Sequence, residues 1–356
     1  MNVDNLTVEQ LSDPGWYLHK FNFPEQKAIF IHLDRNGYAQ SSFLDDRVHA
    51  QPQTAVSISL PQLTEWIEST LIITKPVQYI FHTAYCCSTL MSRALDVPGS
   101  SLAYREPVAL HQLAATRRRH WGAFPENEKQ HWRTLFNVTV SLLSRSYAGE
   151  TPIIKPTDSC NNLISLLLDR SKDSSAVLLY SSLPAFLVST LKLPGRRDFN
   201  RGLLQRANLD AQRYPNLRSV DTRGLSDGRA AAFVWATQMQ SYLEALDQGG
   251  NTYPLDSNVF LSRKDDVLAR LNQLFRINLD DTILHSIAQG PVFSRHAKSQ
   301  ASETFNADSR QKETNAVKLE YKDEIDDAVE WCASIVPTEP ITEQQSQALM
   351  NQPFTV

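Results

Sequence analysis

The 356 residues are 42% hydrophobic and 21% charged, which is the texture of an ordinary folded globular chain. A formal charge of -4 lacks the basic excess of a nucleic-acid binder, and no apolar run approaches the ~20 residues that span a bilayer. Four cysteines, two of them adjacent as Cys86-Cys87, form neither a disulfide framework nor a Cys-x-x-Cys zinc pair. Reduced thiols, no metal and a cytoplasmic location are therefore expected, since residues 1–10 also lack the pattern of a secretory leader.

In chain order, residues 1–75 read as a small α+β appendage. Two β-rich runs, 28–33 and 38–44, flank Asn36-Gly37, and Asn-Gly between such runs is the strongest short hairpin signal. Leu63, Trp66, Ile67 and Leu71 then recur at helical spacing, which predicts a helix over 61–71. From 76 to 356 short apolar strands alternate with long helices. That alternation predicts an α/β domain with a three-layer parallel sheet covered by helices on both faces. Strands are expected at 79–82, 102–104, 153–155, 176–180 and 258–261. Helices are expected at 132–147, ending at Gly149, and at 161–170, after the cap candidates Thr157, Asp158 and Ser159. Others are expected at 184–193, opening on Pro184 and closing at Gly195, at 228–245, and at 265–275 behind a Ser262/Asp265 capping box. Residues 294–314 read as a polar irregular stretch, and an acidic helix is expected over 320–335.

Residues 79–96 carry the chain's main chemical signal: a buried strand, a loop of small residues and a helix starting near Ser88. A helix start offers unpaired N–H groups and the positive end of the peptide dipole, which suits phosphate or sulfate. Ser88 and Thr89 add hydroxyls, and Cys86 and Cys87 are small enough for close backbone approach. The bland alternative is that 84–89 is only a strand–helix turn. The loop lacks the Gly-x-x-x-x-Gly-Lys-Ser/Thr of an ATP or GTP site, which counts against a phosphotransferase. The chain also lacks Gly-x-Gly-x-x-Gly and Gly-x-Ser-x-Gly, so dinucleotide and serine-hydrolase readings are weak.

The segment 79–110 resembles the sulfotransferase superfamily, whose loop reads Pro-Arg/Lys-Ser-Gly-Thr-Thr before a helix. That motif falls on Ala84-Tyr85-Cys86-Cys87-Ser88-Thr89, and a Glu-Pro pair follows as Glu106-Pro107. The run 176–189 resembles the second motif, in which an arginine and a serine hold a 3′-phosphate. Here those positions are Ser181 and Ser189. Residues 255–275 resemble the last strand and its helix, and 294–299, with Lys298, resembles the basic segment that closes over the nucleotide. The resemblance spans about 77–335 and implies that the three-layer parallel sheet is P-loop-like. It implies transfer of a sulfuryl group from 3′-phosphoadenosine 5′-phosphosulfate (PAPS) to a hydroxyl or amine of a small molecule or glycan. Tyr85 and Cys87 depart from the loop pattern, because they replace its cation and its glycine. A catalytically inactive nucleotide- or anion-binding protein on the same fold is the alternative.

Developing negative charge on sulfuryl oxygens needs cations. With Tyr85 in the loop, the candidates are Lys155 at a strand end, Arg93 in the loop helix, and Lys298. Arg196, Arg197 and Arg201 are the local substitutes for holding a 3′-phosphate. Glu106 is the candidate general base; otherwise it pairs with Arg105 or Arg93, or caps the following helix. His82, at the mouth of the site, either assists the leaving oxygen or is simply hydrogen-bonded. Arg117-Arg-Arg-His120 and Asp323-Glu-Ile-Asp-Asp327 read as solvated faces. Lys155 is the stronger signal, because a lysine closing an apolar strand emerges at the carboxyl edge, where open α/β sheets bind ligands.

Overall fold

The computed structural model describes residues 6–48, 55–69, 74–120, 122–294 and 307–351. Two sheets organise them. The first is antiparallel, in the order β1 (Trp16–Asn22), β2 (Lys27–His32) and β3 (Val56–Ser59). The second is a five-stranded parallel sheet of β4 (Gln78–His82), β5 (Ser101–Arg105), β6 (Thr151–Lys155), β7 (Ala176–Tyr180) and β8 (Thr252–Asp256). Its spatial order is β5-β6-β4-β7-β8.

This sheet is buried on both faces, and its side chains alternate between two apolar clusters as the pleat requires. Tyr79, Phe81, Leu102, Tyr104, Ile154 and Leu178 face one cluster, shared with helices Val108–His120, Glu126–Leu143 and Asp227–Asp247. Ile80, Ala103, Ile153, Val177 and Leu179 face the other, with helices Ser88–Ala94, Lys264–Leu274 and Glu343–Asn351. The result is the expected three-layer α/β architecture. β4 is its pivot: the chain leaves β4 toward β5 and β6 on one side, then crosses to β7 and β8 on the other. Such a reversal opens a crevice at the carboxyl ends of the strands.

The antiparallel unit shares the first cluster and is locked to the main sheet by buried arginines. Arg145, fully buried, donates to the carbonyls of Leu11, Asp13 (2.9 Å) and Trp16 (2.8 Å) in the antiparallel unit. Arg105 donates to the carbonyls of Tyr38 and Ser41 and pairs with Asp96 at 2.8 Å. Arg35 reaches Asp96 at 2.7 Å and Glu150 at 2.8 Å.

Several expected elements differ. Asn36-Gly37 is not a hairpin turn but lies inside helix Arg35–Gln40, because Asp34 caps that helix by accepting from the Gly37 N–H at 2.6 Å. The hairpin is one pairing earlier, between β1 and β2, with Gln26 at a φ of 53° in its turn. Residues 38–44 are therefore not a strand. The expected strand at 258–261 is helix Ser257–Ser262, capped by Asp256 accepting from Asn258 at 2.6 Å. The strand lies just upstream as β8, where Pro254 is tolerated because β8 is an edge that pairs only with β7. The Ser262/Asp265 capping box is absent, since the Ser262 hydroxyl donates to the Asn258 carbonyl at 2.8 Å. Gly195 does not end a helix: it lies in the first turn of Pro194–Ala211, which begins directly after Leu183–Leu191. Residues 158–163 are a 3-10 helix, Asp158–Leu163, and only Ile164–Leu168 is α-helical. Of the stretch 294–314 predicted as irregular, residues 295–306 lie outside the described residues and helix Ala307–Glu320 takes up its end; Lys322–Ala333 is the acidic helix.

Candidate functional site

Three neighbouring strands deliver His82, Glu106 and Lys155 to one place. His82 ends β4, Lys155 ends β6, and Glu106 follows β5 directly. Glu106 has a φ of 57°, a left-handed conformation rare for a side chain of its size. Its N–H donates to the Lys155 carbonyl at 2.7 Å, continuing the ladder from the Arg105–Lys155 pair, while its carboxylate accepts from the Lys155 ammonium. Lys155 is 1% exposed. Burial raises the Glu106 pKa most, but its neighbours, the Lys155 ammonium first and then His82, together outweigh it and hold the carboxyl below its usual range.

His82 lies 4.0 Å from the Glu106 carboxylate. Its ring is buried, with Nδ1 2.9 Å from the Thr83 carbonyl and Nε2 3.0 Å from the Pro156 carbonyl. Burial first, and the Lys155 charge second, push its pKa down to about 4. The ring is thus neutral near pH 7, and one of its nitrogens donates to a carbonyl.

The loop after β4 bends through two left-handed residues, Tyr85 (φ 63°) and Cys87 (φ 65°), before Ser88–Ala94 begins. Cys87 stands where the resembling motif has glycine, and it adopts a conformation that glycine adopts without steric cost. Ser88 and Thr89 are buried in the first helical turn. Cys86 is buried, its thiol 2.9 Å from the Thr83 carbonyl and pushed up to about 12 by burial. It is therefore no nucleophile.

Tyr85 brings no charge to the loop. Burial raises its phenol to about 12, and its ring packs on Phe186 and Phe199, with the Arg196 guanidinium 5.1 Å from the ring centroid. Arg196 also donates to the Ser189 carbonyl at 2.9 Å. Arg197 donates to the Leu191 carbonyl and lies over the Tyr321 ring at 4.6 Å. Arg201 pairs with Asp227. Ser181 is buried, its hydroxyl 3.0 Å from that of Ser257. Arg93 occupies the last turn of the loop helix, in the field of Arg105 and Asp96. Lys298 lies outside the described residues. The structure thus brings His82, Glu106 and Lys155 together, with the loop adjoining; the arginines expected to hold a 3′-phosphate engage protein groups.

Residues to which the sequence reading gave no chemical role adjoin the edge. Asp158 accepts from Thr157 and from Gln238, both at 3.0 Å, and electrostatically it reaches both His82 and Glu106. His111, in the first turn of Val108–His120, feels Asp158, Glu106, Arg118 and Arg206. Its only sequence signal was its place five residues after Glu106. From the N-terminal unit, the Phe43 ring centroid lies 5.9 Å from the Lys155 ammonium, and Arg47 stacks on that ring at 4.0 Å. The Leu44 N–H donates to the Arg105 carbonyl at 2.7 Å, which pins this segment beside Glu106. A surface groove lined by Pro61, Glu65, Glu68 and His131 among others shares none of these residues. The ionisable groups converge at the strand ends.

No family model matches this chain, and no curated protein matches it. Among solved structures, the chain is similar to a sulfotransferase domain from the curacin biosynthetic pathway. The identity is 12%, the match covers 70% of this chain and 99% of that domain, and the TM-score is 0.38. Among the described residues, no helix is long and apolar enough to cross a membrane, and no cluster of His, Cys, Asp and Glu could hold a metal ion.

Proposed function

We propose that this chain is a sulfotransferase-like enzyme that moves a sulfuryl group from PAPS to a hydroxyl or amine of a small molecule or glycan. One observation carries the reading: a fully buried ammonium, Lys155, is held by Glu106 at the carboxyl edge of a parallel sheet beside a left-handed loop. A cation fixed there in low dielectric stabilises charge that develops on sulfuryl or leaving oxygens, with no reorganisation at the moment of reaction. It supplies the charge that Tyr85 does not. Glu106 aims the lysine, and Phe43 and Arg47 wall the acceptor side.

The test is nucleotide binding followed by transfer. Adenosine 3′,5′-bisphosphate at a hundred times its Kd should raise the Tm by roughly 4 °C, and more than ATP with magnesium does. No response to any 3′-phosphorylated adenosine nucleotide overturns the reading. A second reading, a nucleotide- or anion-binding protein without transfer activity, is favoured by the Tyr85 ring lying on Phe186 and Arg196. Binding without sulfuryl transfer across phenols, alcohols, sugars and amines would select it.

A further inference from the structure

We propose that Phe43, from the N-terminal unit, is a positioning residue for the transfer. Its ring roofs the Lys155 ammonium, keeps water off the Glu106–Lys155 pair, and so holds that charge at full strength for the reacting oxygens. The inference rests on the transfer reading above. Phe43 is a buried aromatic that serves no apolar core: it is 8% exposed, yet it belongs to neither of the two clusters on the sheet faces. Its ring lies instead between charges. The centroid is 5.9 Å from the Lys155 ammonium and 4.0 Å from the Arg47 guanidinium.

Arg105 fixes the place of the ring. Its guanidinium donates to the Ser41 carbonyl at 2.9 Å, ahead of Phe43, and its own carbonyl accepts from the Leu44 N–H at 2.7 Å, just after it. Arg105 directly precedes Glu106, so the backbone that carries the carboxylate also grips Phe43 from both sides. The buried Tyr17 of β1 adds a third hold, its hydroxyl donating to the Leu44 carbonyl at 3.2 Å. Beyond the ring the chain closes on itself: the Val48 N–H donates to the Asp45 carbonyl at 2.9 Å, and Arg47 pairs with Asp45. The Arg47 side chain is 64% exposed and that of Lys155 1%, so the outer cation meets water and the inner one does not.

Water weakens a charge pair, because the interaction scales inversely with the local dielectric. An aromatic face excludes water and still attracts a cation through its quadrupole, so it covers an ammonium at less cost than an aliphatic side chain does. A polar side chain in its place would compete with Glu106 for the Lys155 N–H groups. Phe43 therefore acts through Lys155, and no substrate atom has to touch it. On this account the N-terminal unit is a working part of the site.

The test uses the whole chain and first reads Lys155 twice without substrate. Acetylation by acetic anhydride, mapped by peptide mass, should be about tenfold faster at Lys155 in Phe43→Ala, the scale of one desolvated cation–π contact. It should be unchanged at the exposed Lys322, and Phe43→Tyr, which keeps the aromatic face, should restore the native rate. In urea unfolding, the coupling between Glu106→Gln and Lys155→Met should fall to about half in the Phe43→Ala background, because the pair is then hydrated. Radiolabelled PAPS, with phenol, glucose and a primary alkylamine as acceptor probes, reads the reaction. There Phe43→Ala should lose about tenfold in kcat and keep its affinity for adenosine 3′,5′-bisphosphate. If Phe43→Ala does not fold, Phe43→Val, which also leaves the ring space open, carries the same expectations. Native acetylation with native coupling in the variant overturns the roof, whatever the transfer assay shows. Faster acetylation with a native kcat overturns its part in the reaction. A native chain that transfers to none of the probes overturns the transfer reading and the part of Phe43 in it, while the two substrate-free measurements still decide the roof.

Discussion

Glu106 and Lys155 are joined twice, once through the backbone N–H of Glu106 on the Lys155 carbonyl and once through their charged side chains. The first bond continues the parallel ladder one residue past the Arg105–Lys155 pair, and the left-handed turn at Glu106 comes directly after it. The Lys155 ammonium has left water, so its charge is tolerated only while Glu106 stays ionised beside it.

Removing the carboxylate charge alone should therefore be costly. Glu106→Gln is expected to lower stability by about 3 kcal/mol, as for other buried pairs broken on one side. Glu106→Gln with Lys155→Met should recover much of that loss, because no uncompensated charge remains. Urea unfolding of the native chain and these two variants measures this directly. A double variant less stable than Glu106→Gln would show that the pair itself stabilises the fold.

Stability should also fall with acid in two stages. His82 is depressed from 6.5 to about 4, so below pH 6.5 the unfolded chain binds a proton that the folded chain refuses. Its contribution is complete above pH 6.5 and is lost as the pH falls toward 4. Glu106 is depressed below 4.5, so its contribution is lost only below that value. His82→Asn should flatten the urea midpoint between pH 6.5 and 4 and leave the steeper fall below 4.5.

Arg145 should act as a clasp for the N-terminal unit. It donates to the carbonyls of Leu11, Asp13 and Trp16, and to that of Leu142 at 2.7 Å. Arg145→Leu would strand these acceptors in the interior, and each unsatisfied buried carbonyl costs about 1–3 kcal/mol. Amide hydrogen exchange should quicken in residues 9–22 before it does in β4 or β7. Uniform quickening across both sheets would show instead that the two units open together.

Replacing Tyr85 by lysine tests the charge missing from the loop. Under the transfer reading, Tyr85→Lys should tighten adenosine 3′,5′-bisphosphate by roughly tenfold, which corresponds to about 1.4 kcal/mol for one charge-assisted contact. Thermal stability should drop as the contacts of the ring with Phe186 and Phe199 are lost. Equal affinity in titration calorimetry would place the loop backbone away from the nucleotide.

The parallel sheet, the buried runs of β4, β6 and β7, and the emergence of Lys155 at a strand end were legible in the sequence. Each is a short-range property of apolar run length, spacing and flanking residues. The hairpin at Asn36-Gly37 was misplaced because Asp34 offers a helix cap, and a cap bond competes with a turn on nearly equal local terms. Which competitor wins depends on packing that the local pattern does not contain. The fate of the charged groups lay further out of reach. That Tyr85 turns onto Arg196 and that Glu106 folds back onto Lys155 depend on contacts across 49 to 111 positions of sequence. Sequence spacing set the strand ends at which chemistry could occur. Only the packed structure decided which side chains there are engaged and which can react, because that depends on the three-dimensional placement of counter-charges and carbonyls.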